Sequence, residues 1–393
     1  MQYRPDSKGT PLSVLGYGCM RFEKKGNLYD FNKAERDILH AINKGINYFD
    51  TAYIYSNSEA VLGEVLEKHK LRDKVYIATK LPHYLMRSKQ GLERLFQTEL
   101  KRLRTDYIDY YFMHMLTDIG TWQKLVDMGM LEWIASKKAS GQIRNIGFSF
   151  HGSTPMFKQL VDVYPWDFCM IQYNYLDEHS QAGRAGLNYA HSKGLAVMIM
   201  EPLRGGRLVQ LLPNKAKELF ANAPQGYSPA EWGLRWLFNQ PEITCVLSGM
   251  STPKMIDENV RIASVATAGS FGEDEEAIIS QAKAYISASE KVPCTACGYC
   301  MPCPAHVDIP GAFRAYNTMY GETKASGRRD YLQASAMRKT PTSASNCTRC
   351  MKCVAHCPQH IAIPDRLVEA SRELETTSYK LLKWIINTFH IWK

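Results

Sequence analysis

The sequence predicts a (β/α)8 barrel followed by a small, mostly helical domain that is rich in cysteine. Over the first 250 residues or so, short apolar runs rich in β-forming residues alternate with helical stretches, and this alternation is typical of a parallel sheet. Most of the eleven cysteines come later, in two groups at 294–303 and 347–357. The 393 residues are enough for two or three domains, or for one large barrel with an appendage.

Eight apolar runs are predicted to be the barrel strands. They lie at 14–19, 46–50, 75–80, 107–114, 143–149, 168–173, 196–201 and 243–248, with predicted helices at 33–44, 58–69, 89–104, 120–140 and 228–239. Eight units of this length fit a closed barrel better than the alternative, an open α/β sheet. The first ten residues, followed by Pro11 and Gly16, are predicted to form a hairpin that closes the barrel floor.

The rest of the chain is predicted to be helical, at 253–265, 273–289, 309–320, 328–338 and 379–393. The last helix has an apolar and aromatic stripe made of Leu381, Leu382, Ile385, Ile386, Phe389 and Trp392. A packed C-terminal helix is the favoured interpretation, and an interfacial membrane anchor or a partner helix is the alternative. The predicted domains are therefore the barrel at 1–290, the cysteine-rich domain at 291–370 and an amphipathic helix at 371–393.

The composition excludes several classes of protein. The formal net charge is +9, but the 48 basic residues are dispersed, whereas a nucleic-acid-binding protein would cluster them on one face. The excess of basic over acidic residues indicates either a solvated surface or a bias toward anionic partners such as a phosphorylated cofactor, an acidic protein or a membrane surface. A transmembrane helix would need a run of about 18 apolar residues, and the sequence contains no such run. The first residues do not resemble a secretory signal. We therefore expect a cytoplasmic protein.

Four polar residues follow predicted strands at the end of the barrel where functional groups gather. They are Asp50 after the second strand, Tyr55 on the next loop, Lys80 after the third strand and His114 after the fourth. A phenol, with a reference pKa of about 10, is a poor acid at neutral pH, but a nearby cation lowers that pKa. Asp50 would orient Lys80, and His114 would hydrogen-bond to the reacting oxygen. The set predicts a proton donor aimed at a carbonyl oxygen that becomes an alkoxide.

In this order, the four residues resemble the catalytic tetrad of the aldo-keto reductases, and the resemblance covers residues 1–265. Further matches lie at 16–21, 147–149, 172–175 and 258–259. The resemblance implies NAD(P)H as hydride donor and a small carbonyl or alcohol as substrate. The implied cofactor-binding residues are Gly18, Met20, Arg21, Asp50, Ser149, Gln172, Met200, Gly249, Lys254, Glu258 and Asn259, with Ser149 and Gln172 at the nicotinamide amide.

Two segments depart from the family pattern. Ser149 is followed by Phe150 and His151 rather than by Ser-Asn, and 200–203 replaces the usual aromatic that stacks on nicotinamide. The positions that grip the 2′-phosphate of NADPH in the family map to Gly249, Met250 and Met255, none of which can donate a charge-assisted hydrogen bond. We therefore expect NADH to be used at least as well as NADPH, unless Lys254 or Arg261 replaces the missing cation.

The two cysteine groups predict iron–sulfur chemistry. Cys347, Cys350, Cys353 and Cys357, with Pro358, match the C-x2-C-x2-C-x3-C-P pattern of ferredoxins with two [4Fe–4S] clusters. The first group, Cys294, Cys297, Cys300 and Cys303 with Pro304, is one residue shorter in its last spacer. Structural zinc, the alternative, usually joins two separated pairs of ligands. In the ferredoxin arrangement, Cys357 would complete the cluster of the first group and Cys303 that of the second.

The whole chain thus resembles aldo-keto reductases that carry a C-terminal ferredoxin-type domain. The leading functional hypothesis is carbonyl–alcohol interconversion with NAD(P)H. The rival is an electron-transfer protein in which the barrel holds a flavin such as FMN, or docks a redox partner. The rivalry arises because nicotinamide transfers two electrons as hydride, whereas each cluster transfers one.

Overall fold

The computed structural model describes residues 1–25, 28–86, 88–336 and 340–388. The chain divides into two compact units, of which unit 1 comprises Met1–Pro202 and Gly233–Gly272. Unit 2 comprises Leu203–Trp232 and Glu273–Lys393. The second unit therefore includes a segment that interrupts the first in sequence. The domain boundaries near residues 290 and 370 stay predictions.

Unit 1 contains a closed barrel of eight parallel strands in sequential order, as the sequence predicts. The strands are β1 (Leu15–Gly18), β2 (Tyr48–Asp50), β3 (Tyr76–Leu81), β4 (Ile108–Met113), β5 (Ile143–Phe150), β6 (Phe168–Gln172), β7 (Ala196–Met200) and β8 (Cys245–Ser248). Their side chains are buried nearly throughout, because helices cover the outer face and side chains fill the interior. The carboxyl ends of all eight strands form one rim.

The helices that follow the strands correct the sequence analysis at one place. They are Phe31–Asn43, Ser58–Lys68, Lys89–Leu103, Ile119–Asp127, Met130–Ala139, Thr154–Asp162, Gly183–Ser192, Pro229–Phe238 and Pro253–Val265. The single helix predicted at 120–140 is two helices, because Gly129 between them has a φ of 87°. Helices Thr154–Asp162 and Gly183–Ser192 follow β5 and β6, in agreement with the predicted alternation of strands and helices.

The predicted N-terminal hairpin is present, with Tyr3–Pro5 paired antiparallel to Pro11–Ser13. Leu12 packs in an aromatic cluster with Tyr48, Tyr110 and Phe168 inside the barrel. The hydroxyl of Tyr110 donates a 2.6 Å hydrogen bond to Asp6 Oδ2, which fixes the hairpin to β4. A second, two-stranded sheet pairs Lys24–Lys25 with Leu28–Tyr29.

Unit 2 is helical around one apolar core. Its helices are Arg207–Gln210, Asn214–Ala221, Glu273–Ser289, Ile309–Gly321, Lys324–Ser335, Lys352–Ala355, Ile363–Leu374 and Thr377–Thr388. Phe313, Tyr331 and Leu367 belong to the core, and six of the cysteines pack against it. The helix predicted at 328–338 begins earlier, at Lys324, and residues 337–339 lie outside the described part of the chain.

The C-terminal helix packs through one face only. Tyr379 and Ile386 are buried in the core of unit 2, whereas Leu381, Leu382 and Trp384 are exposed. The predicted stripe is therefore only partly a packing face, and its members Phe389 and Trp392 lie outside the described residues. Within the described ranges, none of the helices has the length and apolar character needed to cross a membrane.

Candidate active site and cysteine clusters

The four predicted catalytic residues meet at the carboxyl-terminal rim of the barrel. Asp50 is the last residue of β2, Lys80 is the penultimate residue of β3, and His114 directly follows β4. Tyr55 lies on the loop between β2 and the helix Ser58–Lys68. Because parallel neighbouring strands end at the same edge, three of the four side chains are positioned by adjacent strands.

Lys80 is held by two acceptors in a site shielded from water. Its Nζ lies 2.6 Å from Asp50 Oδ1 and donates a 2.7 Å hydrogen bond to the carbonyl oxygen of Thr51. Only 1% of Lys80 and 4% of Asp50 is exposed. Burial raises the pKa of the Asp50 carboxyl, and the Lys80 ammonium opposes that rise. The pair is therefore a buried cation with its counter-ion, fixed in one orientation.

Tyr55 is the tyrosine that the fold brings to this cation. Lys80 Nζ lies 4.9 Å from the centroid of the half-buried Tyr55 ring. The ring of His114 stands edge-on to Tyr55, with centroids 6.2 Å apart. Two other tyrosines close to Asp50 in the sequence lie elsewhere, since Tyr48 packs in the barrel core and Tyr53 stacks on Arg102.

His114 is poised as a neutral imidazole. Burial lowers its pKa well below the ordinary value, and the Lys80 ammonium lowers it further, with smaller contributions from His151 and His83. Its Nδ1 is buried without a hydrogen-bond partner among the described residues. A neutral ring has one N–H donor, which suits hydrogen bonding to a substrate oxygen.

Sequence analysis missed two residues beside His114. The Tyr84 ring lies 6.3 Å from the His114 ring and is 48% exposed, and Tyr84 contacts the His83 ring on its other side. Both belong to a short 3₁₀ turn, His83–Leu85, after β3. The available signal was position alone, because loops after barrel strands line such sites.

The residues implied at the nicotinamide lie deep in the rim. Ser149 Oγ accepts a 2.9 Å hydrogen bond from the Met115 backbone, and Gln172 Nε2 donates a 3.1 Å hydrogen bond to Asp177 Oδ2. Ser149 and Gln172 are 2% and 1% exposed, so neither side chain can rotate freely. Met200, at the end of β7, is half-buried. Sequence analysis did not find Asp177, which also accepts from Asn174.

Other residues that the resemblance implies at the coenzyme lie around β1 and β8. Gly18 is close to the backbone of Ser248 and Gly249, since a Cβ there would be 3.6 Å from both. Asn259 is buried and donates a 3.1 Å hydrogen bond to Ser248 Oγ. The remaining implied residues are Met20 and Glu258, which are half-buried, and Arg21 and Lys254, which are exposed. Arg21 packs its aliphatic chain against Gly249.

The two cysteine groups of unit 2 have matching backbone geometry. Cys294 Sγ accepts a 3.4 Å hydrogen bond from the Ala296 N–H, and Cys347 Sγ accepts one of the same length from the Arg349 N–H. Left-handed residues recur at matching places in each group, namely the second and fourth residues after the first cysteine and the third residue after the last cysteine, which curls the chain around the sulfur atoms. They are Ala296, Gly298 and His306 in the first group and Arg349, Met351 and His360 in the second.

The last cysteine of each group approaches the other group. Burial raises the pKa of the Cys294 thiol to about 11 and that of Cys300 to about 12, and Cys357 is among the charges that raise both. Burial also raises the pKa of Cys353, with Cys303 among its charged neighbours. One pocket is lined by Cys294, Cys297, Cys300 and Cys357 together with Ile309, Phe313, Ile361 and Ile363. Four thiols on apolar walls fit a sulfur-bridged cluster.

Within the described ranges, no three His, Cys, Asp or Glu side chains converge as the ligands of one metal ion do. A four-iron cluster binds each cysteine to a different iron, so its ligands do not need to meet at one point. Arg207 donates a hydrogen bond to the Cys294 carbonyl oxygen and also pairs with Glu290 at 3.1 Å. The first cysteine group therefore lies beside an Arg–Glu ion pair.

Comparison with known proteins identifies both parts of the chain. The family model described as "Aldo/keto reductase family" matches residues 14–270. The chain belongs to the aldo/keto reductase family. Residues 293–362 match the model described as "4Fe-4S dicluster domain". The protein is therefore an oxidoreductase of the aldo/keto reductase family with a C-terminal dicluster domain, as the sequence predicts.

The relatives of this aldo/keto reductase match its barrel. An aldo-keto reductase of Mycolicibacterium vanbaalenii is 28% identical over 64% of this chain and 82% of its own. The solved holo form of an aldo-keto reductase from Bacillus halodurans is 24% identical, with a TM-score of 0.59 over 72% of this chain and 96% of its own. An aldo-keto reductase from Klebsiella pneumoniae, solved in complex with NADPH, is 21% identical, with a TM-score of 0.58. The match covers 71% of this chain and 94% of that protein's chain. At these identities the solved structures establish the fold.

Proposed function

We propose that the barrel interconverts a small carbonyl compound and its alcohol with NAD(P)H, using Tyr55 as general acid and base. We also propose that two [4Fe–4S] clusters in the C-terminal domain transfer electrons. The observation that carries the first proposal is the buried Lys80–Asp50 pair beneath the Tyr55 ring, with neutral His114 at the ring edge. Family membership and the NADPH complex of one structural relative support the choice of coenzyme.

Each of the four residues has a distinct role in this reaction. NAD(P)H supplies a hydride to the carbonyl carbon when it is bound. Tyr55 gives its phenolic proton to the oxygen, which gains negative charge at that moment. The Lys80 ammonium stabilises the phenolate that remains, and Asp50 holds Lys80 in place. His114, as a neutral donor, binds the same oxygen and orients the substrate.

The proposed coenzyme contacts follow the positions around the rim. Ser149 and Gln172 would bind the nicotinamide amide, because both are buried polar groups at the ends of neighbouring strands. Met20 and Met200 would contact the ring region, and Gly18 would allow the backbone to approach the coenzyme closely. Arg21, Gly249, Lys254, Glu258 and Asn259 would surround the adenosine end.

The proposed cluster ligands are crossed between the two cysteine groups. Cys294, Cys297, Cys300 and Cys357 would hold one cluster, and they line one cavity. Cys347, Cys350, Cys353 and Cys303 would hold the other, which the proximity of Cys303 to Cys353 supports. Each cluster gains or loses one electron when it is loaded.

The acid role of Tyr55 is tested by Tyr55→Phe, with Tyr53→Phe as the matched control. Tyr55→Phe removes the proton donor, so kcat/KM for aldehyde reduction should fall by about 10²–10⁴-fold. Coenzyme affinity should stay near that of the wild-type protein, because the ring is retained. Tyr53→Phe should leave the rate unchanged. Wild-type rates in Tyr55→Phe would refute the assignment.

The second candidate function is electron transfer with the barrel as the site of a flavin. It is motivated by the mismatch between a hydride, which carries two electrons, and clusters that carry one each. Visible spectra of anaerobically purified protein, before and after acid extraction, distinguish the two. Released FMN together with coenzyme-independent activity would favour this second function. The cytoplasmic location and a redox protein partner stay predictions.

A further inference from the structure

The two cysteine groups differ in exposure, although their backbones match. Cys350 is exposed, whereas the other ten cysteines, all within the described residues, are buried or half-buried. All five residues of the 348–352 loop are exposed. In the first group, Thr295 stands where the second group has Thr348, and only 2% of Thr295 is exposed. The second group therefore offers the more accessible route for an electron to enter or leave.

The 348–352 loop also differs in chemistry from its counterpart. Arg349, Met351 and Lys352 stand where the first group has Ala296, Gly298 and Tyr299. The loop thus has two additional positive charges, and a methionine replaces the glycine, with 54% of Met351 exposed. These substitutions coincide with the greater exposure, so they change the surface around the accessible thiol.

The positive charge of the loop is only weakly neutralised within the protein. Arg349 Nη2 lies 2.6 Å from Asp365 Oδ1, but the two side chains are 56% and 60% exposed. Ion pairs at such exposure are screened by water and salt and hold the two side chains loosely. Arg349 can therefore exchange Asp365 for a carboxylate on another molecule, and Lys352 is exposed beside it.

We propose that the 348–352 loop is the docking surface for an acidic protein that carries one electron at a time. The proposal deepens the proposed function, because it rests on Cys350 being a ligand of the second cluster. Arg349 and Lys352 would attract carboxylates that surround the carrier's redox group, and Met351 would fill an apolar contact at the centre. The Arg349 N–H already bonds to Cys347 Sγ, so a protein seated here comes within one residue of the ligand sulfur atoms.

The transfer at this surface balances as a single-electron exchange. The carrier loses one electron and is oxidised by one unit, and the second cluster gains that electron. No covalent bond forms or breaks, and no proton has to cross the interface. The electron has to come from a one-electron carrier, because the nicotinamide coenzyme gives up its two electrons together as hydride.

The test uses anaerobic holoprotein and reduced flavodoxin, an acidic flavoprotein that donates single electrons. The variant Arg349→Ala/Met351→Gly/Lys352→Tyr gives the second group the residues of the first, and the glycine suits the left-handed backbone at Met351. In stopped flow at low salt, its bimolecular rate constant for cluster reduction should fall at least about tenfold, because complementary charges set the association rate. The salt dependence of the rate should weaken as well.

Lys124→Glu is the matched control. It also lowers the net charge by two, but Lys124 lies on the helix Ile119–Asp127 of unit 1, so the rate should stay within about twofold. Iron content and visible spectra are measured on every variant. Iron-free wild-type protein would refute the proposed clusters, whereas normal iron with an unchanged rate in the triple variant would refute the docking surface alone. If the triple variant loads poorly, Lys352→Tyr alone replaces it, and an unchanged rate in that iron-loaded variant would likewise overturn the proposal.

Discussion

Lys80 and Asp50 form an ion pair of 2.6 Å that is almost completely shielded from solvent. The pair lies at the ends of neighbouring strands, and the surrounding side chains cover both charges. A buried ion pair stabilises a protein little in net terms, because the cost of desolvating both charges offsets their attraction. Its position beneath Tyr55 therefore fits a catalytic role better than a structural one.

Breaking this pair should be costly, and removing both charges should be much less so. Lys80→Met leaves the Asp50 carboxylate buried without its counter-ion, and we expect it to lower the free energy of unfolding by about 3–5 kcal/mol. The double variant Lys80→Met/Asp50→Asn should recover most of that loss while remaining inactive. Anaerobic urea unfolding provides the measurement. Lys137→Met breaks a more exposed pair with Glu93 and should cost no more than about 1 kcal/mol. If the free energy of unfolding fell in the double variant by as much as in Lys80→Met and Asp50→Asn added together, this account would be contradicted.

Iron content tests the crossed cluster ligands. Wild-type protein purified without oxygen should hold about eight irons, and Cys357→Ala about four. Adding Cys294→Ala to Cys357→Ala should lower the iron content no further, because both residues would serve one cluster. Adding Cys347→Ala instead should remove nearly all iron. The reverse order of the two double variants would show that each group serves its own cluster. Cys169→Ala, in the barrel core, should keep both clusters.

The choice between NADH and NADPH depends on which residue binds the 2′-phosphate in place of the cationic side chains that the family has there. Gly249 has no side chain, Met250 is 2% exposed, and Met255 is exposed but apolar. We expect kcat/KM with NADH to equal or exceed that with NADPH on the same aldehyde. Lys254→Ala should reduce kcat/KM with NADPH more than kcat/KM with NADH. Lys254 is exposed near the start of the helix Pro253–Val265 and is the cation of that helix nearest to the loop after β8. A hundredfold preference for NADPH, about 2.7 kcal/mol, would show that other groups hold the phosphate.

The lowered pKa of His114 predicts how stability depends on pH. In the unfolded chain a histidine takes up a proton below about pH 6.5, whereas folded His114 resists protonation because of burial and the Lys80 charge. The unfolded state then binds more protons, so stability should fall as the pH drops below 6.5. His114→Asn should flatten this dependence between pH 6.5 and 5, as measured by urea unfolding. The exposed His191→Asn should not flatten it. Burial also lowers the pKa of His83, so the His114→Asn variant should keep part of the dependence of stability on pH.

The barrel could be predicted from sequence because buried parallel strands are continuous apolar runs, which stand out whatever surrounds them. The meeting of Asp50, Lys80 and His114 could be predicted because strand ends fix where these residues must lie. The approach of Tyr84 to His114 could not, since no local pattern records which loop packs over another. The break at Gly129 was missed because apolar periodicity continues through it.

The placement of 203–232 within the second unit was also beyond sequence analysis. These residues sit between β7 and β8, and their apolar side chains Leu208, Leu212 and Phe220 look like those of any barrel helix. Only the three-dimensional structure shows that the helix Asn214–Ala221 packs on the helix Glu273–Ser289. Long-range partners of this kind depend on tertiary contacts, not on local propensity.

The interrupted second unit has a consequence for synthesis on the ribosome. A nascent chain folds from its N-terminus as it emerges, and domains generally fold as units. The segment Leu203–Trp232 emerges before β8, yet its packing partners in 273–393 are translated after the barrel is complete in sequence. The segment must therefore wait, with apolar side chains uncovered, until the C-terminal region leaves the exit tunnel. A chain cut after Gly272 would lack the helix Glu273–Ser289, which packs on the helix Asn214–Ala221 in the complete structure.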